Sequence, residues 1–387
     1  MTWRRVLLGA LISVLLMAVS VVWVGAEASD EMLVALPEEF ADMLEALPDA
    51  LRDGLPERLF SANAQDVAKG IESLLSPRAL LTRILEELGR RGGGMMRLFL
   101  QLCGLILLRG VFNHMTSHLR SSVLADGVRL LCRVVMFGII VGQAFSLLED
   151  IQVFCEDLRT LTTAYLPLMG SLYALGGNAG TAAVNHTSLV LSLSLVQWVG
   201  GKTVIPLFSV CLAFSLLGVF GTSTAGRGAV IGGKLKKWYT TALSLTMLLL
   251  TGALAAQTTL AARADSMGFR TVRFALSSSI PVIGGGLSEM LRTAATGVSW
   301  LRGVVGLGGV ALLLWLLLPH VITLFLTRTV YALAGDVAAW LGCEEEGKLL
   351  LEVAGLFGYM IAVSLLCVMT FLISLLLLIK CGAAFGG

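Results

Sequence analysis

Hydrophobic positions fall into two regimes along this chain. Up to about residue 94 they recur at helical spacing among acids, as Leu33, Leu36, Phe40, Leu44 and Leu47 do. Beyond residue 95 they merge into runs of about 20 residues, the length of helix that crosses a bilayer. In the first regime the pair Leu-Pro recurs at 36, 47 and 55 with acids after each proline. That pattern predicts short helices with Pro in the first turn and negative charge near the N-terminal dipole. Three short helices and then a longer one, about 64–90, are expected, and "RRGGG" at 90–94 is expected to mark entry into the bilayer.

The second regime offers eight candidate spans, roughly 96–114, 124–147, 160–176, 184–200, 204–222, 238–262, 303–326 and 349–379. The uncharged loop "GGNAGTA" between the third and fourth suits a re-entrant hairpin, which would remove two spans. The expected fold class is therefore all-α: a polytopic helical membrane protein with an N-terminal signal sequence, a short helical extracytoplasmic region and about six to eight transmembrane helices, including Pro/Gly-interrupted segments.

At the N-terminus, Arg4 and Arg5 precede the apolar run Val6 to Gly25, and "GAEA" supplies small residues for cleavage after Ala26 or Ala28. Residues 1–26 read as a signal peptide or anchor, 27–94 as an acidic helical extracytoplasmic region and 95–387 as a polytopic transmembrane domain. From Glu27 to Phe60 ten acids face only Arg52 and Arg58, which keeps this stretch out of lipid. Starting outside, the loop after the fifth candidate span is cytoplasmic, and it carries Arg227, Lys234, Lys236 and Lys237 as the positive-inside rule requires. The loop after the second span holds Glu149, Asp150, Glu156 and Asp157, which suits the outer side.

The most unusual stretch is "SSSIPVIGGGLSEM". If 263–279 is helical, Arg263, Ser266, Arg270, Arg273 and Ser277 form one polar stripe, and Glu289, Arg292, Thr296 and Ser299 repeat it after the glycines. Pro281, Gly284, Gly285 and Gly286 join the two. Broken backbone at membrane depth survives only where protein or water satisfies it, so Pro281, the three glycines, Glu289, Arg270, Arg273 and Arg292 are candidate turn or pore-lining residues. The competing arrangement lays both helices flat in the outer interface, arginines toward headgroups.

Composition narrows the classes. The chain of 387 residues is 56% hydrophobic and 14% charged with net charge +2, which leaves no basic face for nucleic acid. Seven cysteines lack a CxxC pair and read as small buried hydrophobes. "VGGKT" at 199–203 ends like a phosphate-binding loop, but the glycine that motif needs first falls on Val196. His114 and His118 share a helix face without a third metal ligand nearby, while His186 and His320 are isolated. Intramembrane acids are few: Asp126, which Arg129 or Arg133 can pair, and Asp265, Glu289, Asp336 and Glu352. No nucleophile, base and metal constellation is legible, so no enzyme, cofactor or metal is expected.

The stretch "ADSMGFRTVRFALSSSIPVIGGGLSEMLRTAATG" resembles the signature region of the stage III sporulation protein AE family, and "AYLPLMGSLYALGGNAGTAAV" is similar to that family's earlier Pro/Gly-rich segment. The resemblance implies a multi-pass protein of the mother-cell membrane surrounding the forespore, one of eight members of a channel complex that maintains the forespore. It implies as partners the other stage III sporulation A-operon proteins and, across the intermembrane space, stage II sporulation protein Q, besides the lipid bilayer. The expected function is a non-enzymatic, permease-like or export-gate component of that complex. The alternative is an independent secondary transporter whose intramembrane acids couple substrate to protons.

Overall fold

The computed structural model describes residues 38–52, 55–61, 63–118, 122–175, 205–220 and 284–382, with scattered helical positions between 187 and 263. The side chains of 284–296 are outside this description, as are Arg270, Arg273 and Pro281 altogether. Among the described residues every regular element is helical, and four helices contain stretches long and apolar enough to cross a membrane: Pro77–Phe112, Leu130–Tyr173, Trp300–Trp340 and Glu344–Met369.

Short elements follow each Leu-Pro pair: α1 (Glu38–Glu45), α2 (Asp49–Arg52) and a single 3₁₀ turn, Glu57–Phe60. Then comes α3 (Ala64–Leu75), whose first turn is capped by the Asn63 side chain accepting from the Gln65 amide at 3.2 Å. Val67, Ile71 and Leu74 of α3 are buried against the main body.

The chain breaks at Ser76 and Pro77 and not at the triple glycine. Ser76 is extended, as a residue before proline prefers, and its hydroxyl accepts from the Ala79 amide at 3.3 Å, so Ser76 caps and Pro77 opens the next helix. That helix, α4 (Pro77–His118), runs unbroken through Gly92, Gly93 and Gly94. Each glycine costs about 1 kcal/mol of helix propensity. The turns on both sides are held, by Glu87 and its arginines above and by buried Leu98, Leu102 and Ile106 below, and continuity prevails.

A second correction concerns α5 (Ser122–Leu175), 54 residues without interruption. The expected outer loop at 148–159, and with it the separate third span at 160–176, is part of this one helix. The acids there concealed a helical register: Leu147, Ile151, Phe154, Leu158, Leu161, Tyr165, Leu168 and Leu172 are all buried, while Glu149, Asp150, Gln152, Glu156, Arg159 and Thr163 are exposed.

After α6 (Ile205–Phe220), which packs on the last helix, come α7 (Gly284–Trp340) and α8 (Glu344–Gly382), the most closely packed pair among the described helices. Gly284, Gly285 and Gly286 are the first residues of α7. The α7–α8 hairpin closes through Gly342 at φ 73°, with the Cys343 amide on the Ala338 carbonyl at 2.9 Å and the Gly342 amide on the Ala339 carbonyl at 3.2 Å. That is a Schellman cap. Below it the two backbones touch: a Cβ on Gly347 would come within 2.9 Å of the Gly335 carbonyl oxygen.

Helices α4 and α5 run antiparallel, as do α7 and α8, and the four make one bundle with two levels. In the lower part the exposed side chains are apolar: Met96, Leu100, Leu107 and Leu108 on α4, Val134, Val135, Phe137 and Phe145 on α5, Phe325 and Leu333 on α7, Leu351 on α8. Arg97 is the exposed charge inside this belt on α4. In the upper part the exposed face of α5 turns polar, and the apolar stretch 304–317 of α7 is buried by protein, with Ile71 of α3, Tyr165 of α5 and Leu375 of α8 against Gly308 and Gly309. The expected span at 303–326 therefore lies partly in this upper core, and the exposed apolar part of α7 lies further along the chain. Tyr165 seals the upper core, its ring against Gly309 and its hydroxyl donating to the Val305 carbonyl at 3.3 Å. Arg302 is buried beside it, donating from Nε to the Leu172 carbonyl at 3.2 Å and lying over the Tyr173 ring.

Candidate functional site: two charged layers and the cleft between four helices

Charge gathers at the two ends of the apolar belt. At the lower end Glu346, 2% exposed at its side chain, sits in the first turn of α8, where the helix dipole favours an anion. Arg109 of α4 reaches it at 2.9 Å and Arg133 of α5 at 3.5 Å, and Arg133 also pairs with Glu345. Three helices are thus tied at one level. Arg133 is engaged here, and the side chain of Asp126, its expected partner, lies outside the described residues.

At the upper end a second buried acid, Glu87 of α4, collects three arginines from its own helix. Arg90 grips it with both contacts from Nη2, at 2.7 and 2.8 Å, Arg91 comes to 3.4 Å, and Arg83 to 3.8 Å. Between the layers lie 22 residues of α4 (Glu87 to Arg109), about 33 Å, and 17 of α5 (Arg133 to Asp150), about 26 Å, at 1.5 Å per residue. The two lengths fall on either side of the ~30 Å hydrocarbon core of a bilayer.

The upper layer opens into a cleft of about 360 Å³, lined among others by Arg83, Arg90, Arg91, Asp150, Asp157, Trp315 and His320. Proline shapes it. Pro319 has no N–H, so the Trp315 carbonyl loses its helical donor one turn back, and Thr323 turns its hydroxyl onto the Pro319 carbonyl at 2.8 Å. His320 stacks on Phe154 with ring centroids 4.2 Å apart, and its Nε2 is 3.0 Å from the Ser364 hydroxyl. The single Ser364 proton goes to the Met360 carbonyl at 3.0 Å, so Nε2–H of His320 donates to the Ser364 hydroxyl. Arg83 lies over the Trp315 ring at 5.0 Å. Two nitrogens of this cleft are buried with no hydrogen-bond partner, Nε of Arg83 and Nε1 of Trp315.

Little of this was singled out in the sequence. His320 stood as isolated, Arg90 and Arg91 as a membrane-entry mark, Asp150 and Asp157 as loop acids. The detectable signal is Arg83, Arg90 and Arg91 at four, three and four residues from Glu87, which puts one acid among three arginines on a helix face. Of the residues expected to turn or line a path, Gly284, Gly285 and Gly286 lie in α7; Pro281, Arg270 and Arg273, and the side chains of Glu289 and Arg292, lie outside the described residues. His114 is exposed, and among the described residues no three His, Cys, Asp or Glu side chains gather to hold a metal. Cys132, Cys211, Cys343 and Cys367 are buried.

Comparison with known proteins adds the family. The family model for stage III sporulation protein AE matches residues 60–382. The chain is similar to stage III sporulation protein AE of Bacillus subtilis (strain 168), 22% identical over 287 residues, which cover 73% of this chain and 71% of that protein. No solved structure matches. The matched region runs from the 3₁₀ turn to the end of α8 and takes in both charged layers, the cleft and all four membrane-length helices; the chain belongs to the stage III sporulation protein AE family.

Proposed function

We propose that this chain is a non-enzymatic component of the channel complex between mother cell and forespore, its permease-like or export-gate part. It sits as a multi-pass protein in the mother-cell membrane around the forespore. The observation that carries the reading is the family match over residues 60–382, which contains every membrane-length helix described. The partners are the other stage III sporulation A-operon proteins on its own membrane and stage II sporulation protein Q across the intermembrane space.

The architecture supports a wall or gate element. Between the two charged layers the bundle interior is filled by Leu102, Ile106, Met136, Ile140, Leu324, Tyr331, Phe357 and Met360, all essentially inaccessible. A solid post of this kind bounds a path and does not enclose one. The upper bundle, with its polar α5 face and the acidic N-terminal helices, offers a surface to proteins between the membranes.

Crosslinking in sporulating cells followed by purification of this chain tests the reading. Recovery of the other A-operon proteins and of stage II sporulation protein Q is the expected result. A chain that comes out alone while sporulation depends on it would overturn it in favour of an independent transporter. Val at Gly284, Gly285 and Gly286 should abolish solute passage into the forespore if the Pro/Gly segment is part of the path, since β-branched residues stiffen that stretch.

A further inference from the structure

The cleft at the upper charged layer has donors that nothing in the protein satisfies. Trp315 is 8% exposed, yet its indole N–H has no acceptor, and neither has Nε–H of Arg83, stacked over the same ring. A buried N–H left unpaired costs about as much as a hydrogen bond is worth several times over in an apolar site, so such donors are normally matched. The charge around them has one sign on one wall: Arg83, Arg90 and Arg91 share the single carboxylate of Glu87. On the other wall stand Asp150 and Asp157 of α5. Unsatisfied N–H groups beside clustered guanidiniums are the recognition chemistry of a phosphoryl group.

We propose that this cleft binds a phosphate-bearing ligand, with phosphoryl oxygens accepting from Nε–H of Arg83 and the indole N–H of Trp315. Arg90 and Arg91 neutralise the charge, and Asp150 and Asp157 are placed to receive a cationic group attached to the phosphate. The cleft's height favours a phospholipid headgroup as the source. It lies where the exposed apolar belt that includes Met96 and Leu100 on α4 and Phe145 on α5 gives way to the exposed polar run from Glu149 to Thr163. Val153, exposed and itself part of the cleft lining, provides apolar surface at the opening. A soluble phosphate shares the phosphoryl chemistry and lacks the need for that side chain.

The test uses the full chain, purified in detergent and delipidated. Vesicles of phosphatidylethanolamine, vesicles of phosphatidylglycerol, and inorganic phosphate are the three probes, with native mass spectrometry and thermal shift as readouts. Retention of phosphatidylethanolamine over phosphatidylglycerol is expected, with inorganic phosphate weakest, and Trp315→Phe, which removes the N–H and keeps the aromatic bulk, should weaken retention about tenfold. Arg83→Lys, which keeps the charge and removes Nε–H, should do the same, and covers the case in which the Trp315 variant does not fold. Arg159→Gln, outside the cleft, should leave binding unchanged. Inorganic phosphate bound as tightly as lipid would keep the phosphate site and reassign its source to a soluble ligand. Absence of binding by all three probes, or folded variants that retain lipid like the wild type, would overturn the proposal.

Discussion

Arg109 on α4 holds its Nη1 2.9 Å from Oε1 of Glu346, a carboxylate at the start of α8 with 2% of its side chain exposed. The pair is 237 residues apart in sequence, and Arg133 of α5 shares it. Opposite charges at this distance, out of water, attract strongly, but each also gave up its hydration, so the pair's worth shows mainly when one partner is removed. Glu346→Ala removes the buried carboxylate that Arg109 and Arg133 share and should destabilise the purified protein by about 3 kcal/mol. Thermal unfolding in detergent measures this. Replacing Arg109, Arg133 and Glu346 together by Met, Met and Leu should recover most of the loss, and a triple variant as unstable as the single one would disprove the ion-pair account.

The hairpin cap makes a separate prediction. Gly342 has φ 73°, and a Cβ placed there would meet nothing within 4 Å, so any penalty on substitution is conformational and not steric. Gly342→Ala should cost about 1 kcal/mol, and Gly342→Asn less, because Asn tolerates this backbone region. Equal stability of the Ala variant and the wild type would mean that the hairpin closes differently. Gly347→Ala should be the more damaging change, since its Cβ would meet the Gly335 carbonyl at 2.9 Å.

Cys343 lies in the hairpin turn between α7 and α8, 3% exposed. Burial first, and then the nearby Glu346 carboxylate, pushes its thiol above the ordinary value, while Arg109 pulls in the opposite direction. Thiolate, the reactive form, therefore appears only at higher pH than for a free cysteine. In a variant whose other cysteines are replaced by Ser, alkylation at pH 7.5 should be slower than for an exposed control cysteine and should accelerate as pH rises past the ordinary thiol range. Glu346→Gln should speed it. A labelling rate matching the control would contradict the burial of this turn.

The two layers predict sidedness. With the N-terminal helices outside, Glu156→Cys on the exposed α5 face should react with an impermeant maleimide added from outside, whereas Glu345→Cys and Lys234→Cys should react only after permeabilisation. Labelling of position 156 and position 345 from the same side would show that α5 does not cross between them.

How much of this could be read from residues alone depended on which force set each boundary. Leu-Pro pairs at 36, 47 and 55 announced short helices because proline fixes the first turn locally. Ser76 and Pro77 are just as local a signal, whereas Gly92 to Gly94 look like a break but sit in a helix secured from both flanks. The acids of 149–157 looked like a loop because hydropathy averages a window and loses its phase; Ile151, Phe154 and Leu158 held the phase, and the helix followed them. Averaging also hides what covers an apolar run, so 304–317, wrapped in protein, resembled a span in lipid. The cleft needs Leu51, Arg83, Asp150 and Trp315 from four helices, and no spacing within one segment encodes that meeting.

The unbroken α5 has a mechanical consequence. From Asp150 to Leu175 it continues 25 residues, about 38 Å, past the upper charged layer, and from Asp150 back to Arg133 it spans the apolar belt. Displacing its outer end tilts a stiff rod whose other arm is riveted to the α7–α8 turn through Glu345 and Glu346. Pro167 is the one proline along that rod. Whatever grips that tip therefore has leverage on the far end of the apolar belt, and the torque passes Asp150 and Asp157 on the way, at the wall of the cleft.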